Sequence, residues 1–116
     1  MSNQVVTLDV DEALARFGGN RQMFIRLLLR FLELNADVGR KAQEVVASAD
    51  CEQIAMFFHS IKGGAANLSA KRLAEKCAAL EKLAKAGDID AVKMESGDFS
   101  SFFDELKAEV ERISSS

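Results

Sequence analysis

Not one proline interrupts the 116 residues of this chain. Proline removes a backbone donor and clashes with the preceding turn, so a chain without it leaves helices unbroken. Its abundant Ala, Leu, Lys and Glu are good helix formers. The apolar residues recur at helical spacing. Met23, Phe24, Leu27, Leu28, Phe31, Leu34 and Val38 form one stripe, which Val45 continues. Leu73, Cys77, Leu80 and Leu83–Ala84 form another. Ile89, Val92, Phe99, Phe102, Phe103, Leu106, Val110 and Ile113 form the last.

Capping residues divide these stripes into elements. Asp9 or Asp11 opens a short first helix that ends at Phe17, before Gly18 and Gly19. Asn20 caps a long second helix running to about Ala47, with a bend expected at Gly39. Asp50 caps a third, to about Asn67. Ser69 is the expected cap of the fourth, with Arg72 where a capping box would have Glu. Gly87 ends that helix, and Asp88 opens the last one, which Gly97-Asp98 can split in two. The expected fold is all-α: an antiparallel four-helix bundle with a short additional N-terminal helix. One domain spans 1–116, with 1–8 a loose arm whose Val5, Val6 and Leu8 can pack on the bundle, and 114–116 a frayed tail.

The third helix carries the chain's chemistry. Phe57–Ser69 reads FFHSIKGGAANLS and holds the only histidine, His59. With His59 at zero, Ile54, Phe57, Ile61, Gly64, Ala65 and Leu68 fall roughly 140–240° away at about 100° per residue. That is the core stripe. Ala55, Met56, Lys62, Gly63 and Ala66 share the histidine's side. A lone histidine on a helix is by default a surface residue; the small-residue face and the Lys-Gly-Gly that follows are what argue for more. Gly63, at i+4, uncovers the imidazole to a bulky partner, whereas Gly64 faces the core and allows close packing. Neutral imidazole is a nucleophile near neutral pH. Were it to accept a phosphoryl group, Lys62 at i+3 would be within reach of the new charge, and no carboxylate stands at i+3 or i+4 to repel it.

HSIKGGAANLS resembles the signature of histidine-containing phosphotransfer (HPt) domains: His, any residue, an aliphatic residue, Lys, Gly, then small residues and a Leu. The likeness rests on His59, Ile61, Lys62, Gly63, Gly64, Ala65 and Leu68. HSIKGGA is also similar to the phosphorylated domain of chemotaxis histidine kinases, and LDVDEALARFGGNRQMFIRLLLRFLE extends the HPt likeness upstream. Ser69 departs from the pattern, where many HPt domains carry Gly.

The resemblance implies a phosphocarrier without an ATP site, not an enzyme acting alone. His59 would accept phosphoryl from a receiver-domain aspartyl phosphate and pass it to another receiver. Lys62 would support the phosphate, and Gly63, Ala55, Met56 and Ala66 would provide partner access and docking. It implies response-regulator receivers and a hybrid histidine kinase as partners. No cofactor is expected in the chain, with Mg²⁺ only in the receiver. Two other readings stand beside it: the phosphoacceptor domain of a chemotaxis-type kinase, and a helical adaptor that transfers nothing. The first needs a kinase domain that these residues do not contain.

Charge and composition bound the rest. A net charge of −3 argues against nucleic acid. No apolar run reaches the ~18 residues of a membrane span, and the N-terminus lacks a basic start and apolar core for export. Cys51 and Cys77 suggest neither a metal site nor a disulfide, so a cytoplasmic monomer with structural, reduced thiols is expected. The charges at Arg72, Glu75, Lys76, Glu81, Lys82 and Lys85 read most simply as a solvated face, with Lys76 or Lys85 as further candidates to hold phosphate.

Overall fold

The computed structural model describes residues 5–115. Among them the regular structure is helical, with no strand. The elements are α1 (Val10–Arg16), α2 (Arg21–Leu34), α3 (Val38–Ala47), α4 (Cys51–Asn67), α5 (Lys71–Lys85), α6 (Ile89–Glu95) and α7 (Phe99–Ser114), with one 3₁₀ turn at Ser96–Asp98 before α7.

Four helix starts obey local capping chemistry. The carboxylates of Asp9, Asp50 and Asp88 accept from the amides of Glu12, Gln53 and Ala91, and the Asn20 side chain accepts from that of Met23. Each satisfies one donor that the first helical turn leaves free.

The expected long second helix is two. It ends at Leu34, where the Asn35 side chain and backbone both donate to the Phe31 carbonyl, and it restarts at Val38. The break moves Leu34 off the buried stripe: it is 65% exposed, while Val38 is buried. Gly39 is not the bend. It sits inside α3 against α7, where an added Cβ would lie 2.6 Å from Ser100 Oγ. The last helix divides at the expected weak point near Gly97-Asp98.

Ser69 does not cap α5; Ala70 holds that position, without a side-chain cap bond. Ser69 instead is fully buried with φ of 60°, a left-handed conformation that a side chain disfavours. Its hydroxyl donates to Glu12 at 2.7 Å and accepts from Arg16 at 3.0 Å. Arg16 also donates to the Asn67 carbonyl at 2.6 Å, satisfying an acceptor at the end of α4. The arm expected over 1–8 is anchored where it is described: Leu8 is buried, and Asp9 N–H donates to the Ser69 carbonyl. Residues 1–4 and Ser116 lie outside the described residues, and α7 stays helical through Ser114.

Packing converges on α4. It pairs with α5 along most of its length, Leu68–Ala70 being the whole connection, and with α3 on another side. α7 rests on α2, α3 and α5. The Phe58 ring is fully buried, edge-on to Phe99 at 5.2 Å and to the half-buried Phe57 at 5.0 Å. Gly64 lets α2 approach: a Cβ there would sit 2.8 Å from Phe31 Cε1. These contacts fix both the height and the rotation of α4, and so which way His59 points.

Candidate functional site

His59 lies midway along α4 with its side chain 65% exposed. Ile54, Phe58 and Ile61 are buried beneath it, which orients the imidazole outward. Gly63 is exposed one turn on, and a Cβ there would meet nothing within 4 Å. Met56 is exposed at 64%, and Ala66 is exposed. Ala55 is not an exposed face residue. It is 7% exposed and forms part of the lining of a groove beside His59.

That groove has a volume of about 590 Å³ and runs between α4 and α5. Cys51, Ala55, Met56 and His59 line it from α4, Glu81 and Lys85 from α5. Cys51 is half-buried there, so it is part of this surface as well as of the helix. Cys77 is a core residue, and burial pushes its thiol up to about 12. Among the described residues no group of three or more His, Cys, Asp and Glu side chains could hold a metal ion.

The decisive residue is Glu81, which sequence reasoning placed on a solvated face. It is 4% exposed. Its Oε2 lies 2.9 Å from His59 Nδ1 and 2.9 Å from Lys85 Nζ, and its Oε1 accepts from Lys62 Nζ at 2.6 Å. A buried carboxylate is costly unless paired and hydrogen-bonded, and here three donors surround it. The hydrogen bonds from Lys62 and then Lys85 lower its pKa to about 2, against burial and with a smaller contribution from His59. At neutral pH it is therefore an anion that can only accept. The proton between it and His59 must sit on Nδ1, which in the neutral ring leaves the lone pair on Nε2.

A signal for Glu81 was present. It falls at i+4 from Cys77 and beside Leu80 and Ala84, all buried, so its position belongs to the edge of the apolar stripe. Lys85 is its i+4 neighbour. Lys76 is elsewhere: its amine pairs with Asp98 at 2.8 Å and lies over the Phe102 ring. Lys62, Gly63 and His59 share one face as expected, while Lys85 reaches the same carboxylate from α5.

No helix among the described residues is long and apolar enough to cross a membrane. No curated protein and no solved structure matches the chain significantly. The Hpt domain family matches residues 26–116, a span that contains all of α4 and α5. Hpt domains are phosphocarrier modules of phosphorelay signalling, and they interact with response-regulator receivers and histidine kinases. With most of its length matched and one exposed histidine on the matched helix pair, this chain belongs to the Hpt domain family.

Proposed function

We propose that His59 is the phosphoryl carrier of this Hpt domain, taking the group from an aspartyl phosphate on one receiver domain and delivering it to the aspartate of another. The observation that carries this reading is the hydrogen bond from His59 Nδ1 to the buried Glu81 carboxylate. It fixes the ring's tautomer and orientation and directs the Nε2 lone pair outward.

The step balances without a base. Nε2 attacks phosphorus in line; the P–Nε2 bond forms as the P–O bond to the aspartate breaks, and the aspartate leaves as carboxylate. Nδ1 keeps its proton throughout, so the ring becomes cationic beside the Glu81 anion. Return transfer reverses these changes. Phosphoryl transfer asks chiefly for alignment and charge neutralisation, and both are built around one carboxylate here. Lys62 keeps Glu81 in place and adds positive charge next to the ring. Gly63 places no side chain beside the imidazole one turn on, and Met56, Ala66 and the groove containing Ala55 take the partner's surface. The chain itself needs no cofactor in this reading; Mg²⁺ belongs to the receiver.

The frame is an antiparallel four-helix bundle in this proposal, with α2–α3, α4, α5 and α6–α7 as its legs and α1 across one end. Short connections and the pairings of α4 with α5 and of α7 with α2, α3 and α5 support it. The test is incubation with phosphorylated receivers followed by mapping of acid-labile, base-stable phosphate. Label on the His59 peptide, absent from His59→Gln, is expected. Label that arrives only from a kinase and ATP, with no receiver able to donate, would move the assignment to the phosphoacceptor domain of a chemotaxis-type kinase.

A further inference from the structure

The carboxylate of Glu81 holds two lysines, and they are held differently. Lys62 Nζ has Oε1 to itself at 2.6 Å, with the side chain 32% exposed. Lys85 Nζ shares Oε2 with His59 Nδ1, at 2.9 Å from it, and its side chain is 67% exposed. Lys85 ends α5, just before Ala86 and Gly87, so its stem can move without disturbing packed neighbours. It also lines the groove that His59 opens onto, which Lys62 does not, although both lysines border a second depression with Ala78 and Lys82.

From this asymmetry we infer that Lys85 is the mobile cation of the site, leaving Glu81 to bind the phosphoryl oxygens once His59 is phosphorylated, while Lys62 stays on Glu81. The inference rests on His59 being the carrier. Its driving force is charge balance. In the resting site two lysines face one carboxylate. Phosphorylation adds about −1.5 to −2 of charge at neutral pH and makes the ring a cation whose Nδ1–H bonds Oε2 more strongly. The better-bonded ring displaces Lys85 from the oxygen they share, and the phosphoryl group is the nearest new anion. Lys62, on the other oxygen, faces no such competition.

Phosphoramidate supplies a partner-free test on the full chain. The P–Nε2 bond forms as the donor's P–N bond breaks, and ammonia leaves. Phosphate is first located by acid lability, base stability and peptide mapping; phosphate anywhere but His59 overturns the carrier assignment itself. With phosphate on His59, the lysine Nζ resonances of the wild-type protein report the exchange directly. A shift of the Lys85 Nζ signal on phosphorylation, with that of Lys62 unmoved, is expected. The ³¹P titration of the phosphoryl group gives a second reading. Lys85→Ala should raise its pKa by about half a unit, the size of an exposed ion pair, and Lys85→Arg should restore it. An unmoved Lys85 Nζ signal, or a ³¹P titration that Lys85→Ala leaves unchanged, overturns the inference while the carrier assignment stands.

Discussion

Glu81 on α5 accepts a hydrogen bond from His59 Nδ1 on α4 at 2.9 Å, and it does so from a buried position while the imidazole stays largely exposed. Rigidity and access are thereby divided between two helices. The tautomer follows from this bond, so it can be tested apart from transfer. The ¹⁵N spectrum of the neutral His59 ring in the wild type should show a protonated Nδ1 and an unprotonated Nε2. Glu81→Ala should give a mixture of tautomers and slow transfer by roughly 10–100-fold, equivalent to about 1.4–2.8 kcal/mol in the barrier. The same tautomer in both proteins would remove Glu81 from its proposed role.

His59 itself should be dispensable for the fold. Its side chain is largely exposed and Lys62 and Lys85 still satisfy Glu81 without it. His59→Gln is therefore expected to abolish phosphorylation while costing no more than about 1.5 kcal/mol, the low end for a hydrogen bond to a charged group. Phosphate persisting on the variant, measured by receiver-dependent incorporation, would overturn the assignment of the carrier.

The paired glycines should respond in opposite directions. Gly63→Ala places a methyl in open space and improves helix propensity, so a gain of up to about 1 kcal/mol is expected in denaturant unfolding. Gly63→Gln should also fold, yet slow transfer by covering the imidazole. Gly64→Ala drives a methyl into the Phe31 ring and should cost about 1–3 kcal/mol despite the same propensity gain. Equal stability of the two alanine variants would contradict the packing described for α2 on α4.

What could be read in the chain, and what could not, separates by distance along the sequence. The caps at Asp9, Asn20, Asp50 and Asp88 are legible because each side chain bonds an amide three residues on. The outward face of His59 is legible because the buried residues of α4 recur with the helix period. The break after Leu34 carries neither Gly nor Pro to mark it; the residue that closes α2 is Asn35, whose side chain and backbone both bond the Phe31 carbonyl. Ser69 was misread as a cap because its true partners, Glu12 and Arg16, belong to α1. Glu81 shares that cause in part: a charge on a helix looks solvated until the neighbouring helix brings His59 and Lys62 to it, beside Lys85 of its own helix.

Ser69 offers a test of that long-range latch. Ser69→Gly relieves the left-handed backbone but loses the hydroxyl's bonds to Glu12 and Arg16. Hydrogen bonds to charged groups contribute about 1.5–3 kcal/mol, against about 1–2 kcal/mol of backbone relief. The glycine variant should therefore be somewhat less stable than wild type, by about 1 kcal/mol. Ser69→Ala keeps the strain and loses the bonds, so it should be the least stable of the three. Thermal unfolding that ranked alanine above glycine would show that the left-handed turn, not the latch, had been misjudged.

The last prediction concerns acid. Glu81 is held from the ordinary carboxylate value of 4.5 down to about 2, first by Lys62, then by Lys85. A carboxylate whose pKa is lower in the folded protein releases its proton more readily there, so the unfolded chain binds more protons in this interval. Stability from the group is then fully present above about 4.5 and drains away as pH falls toward about 2. Glu12 and Glu109, also lowered by their cationic partners, add to the same acid slope, so wild type alone cannot isolate one group. The difference between wild type and Glu81→Gln can. Gln cannot titrate, so its curve should run flatter across that window, and the two should converge on acidification. Lys62→Ala removes the largest cause of the shift. It should bring the Glu81 carboxyl back toward its ordinary range, visible in the side-chain ¹³C signal, and reduce transfer by roughly 10–100-fold without eliminating it. If Lys62→Ala slowed transfer while that carbon signal titrated as in wild type, Lys62 would act on the phosphoryl group directly and not through Glu81.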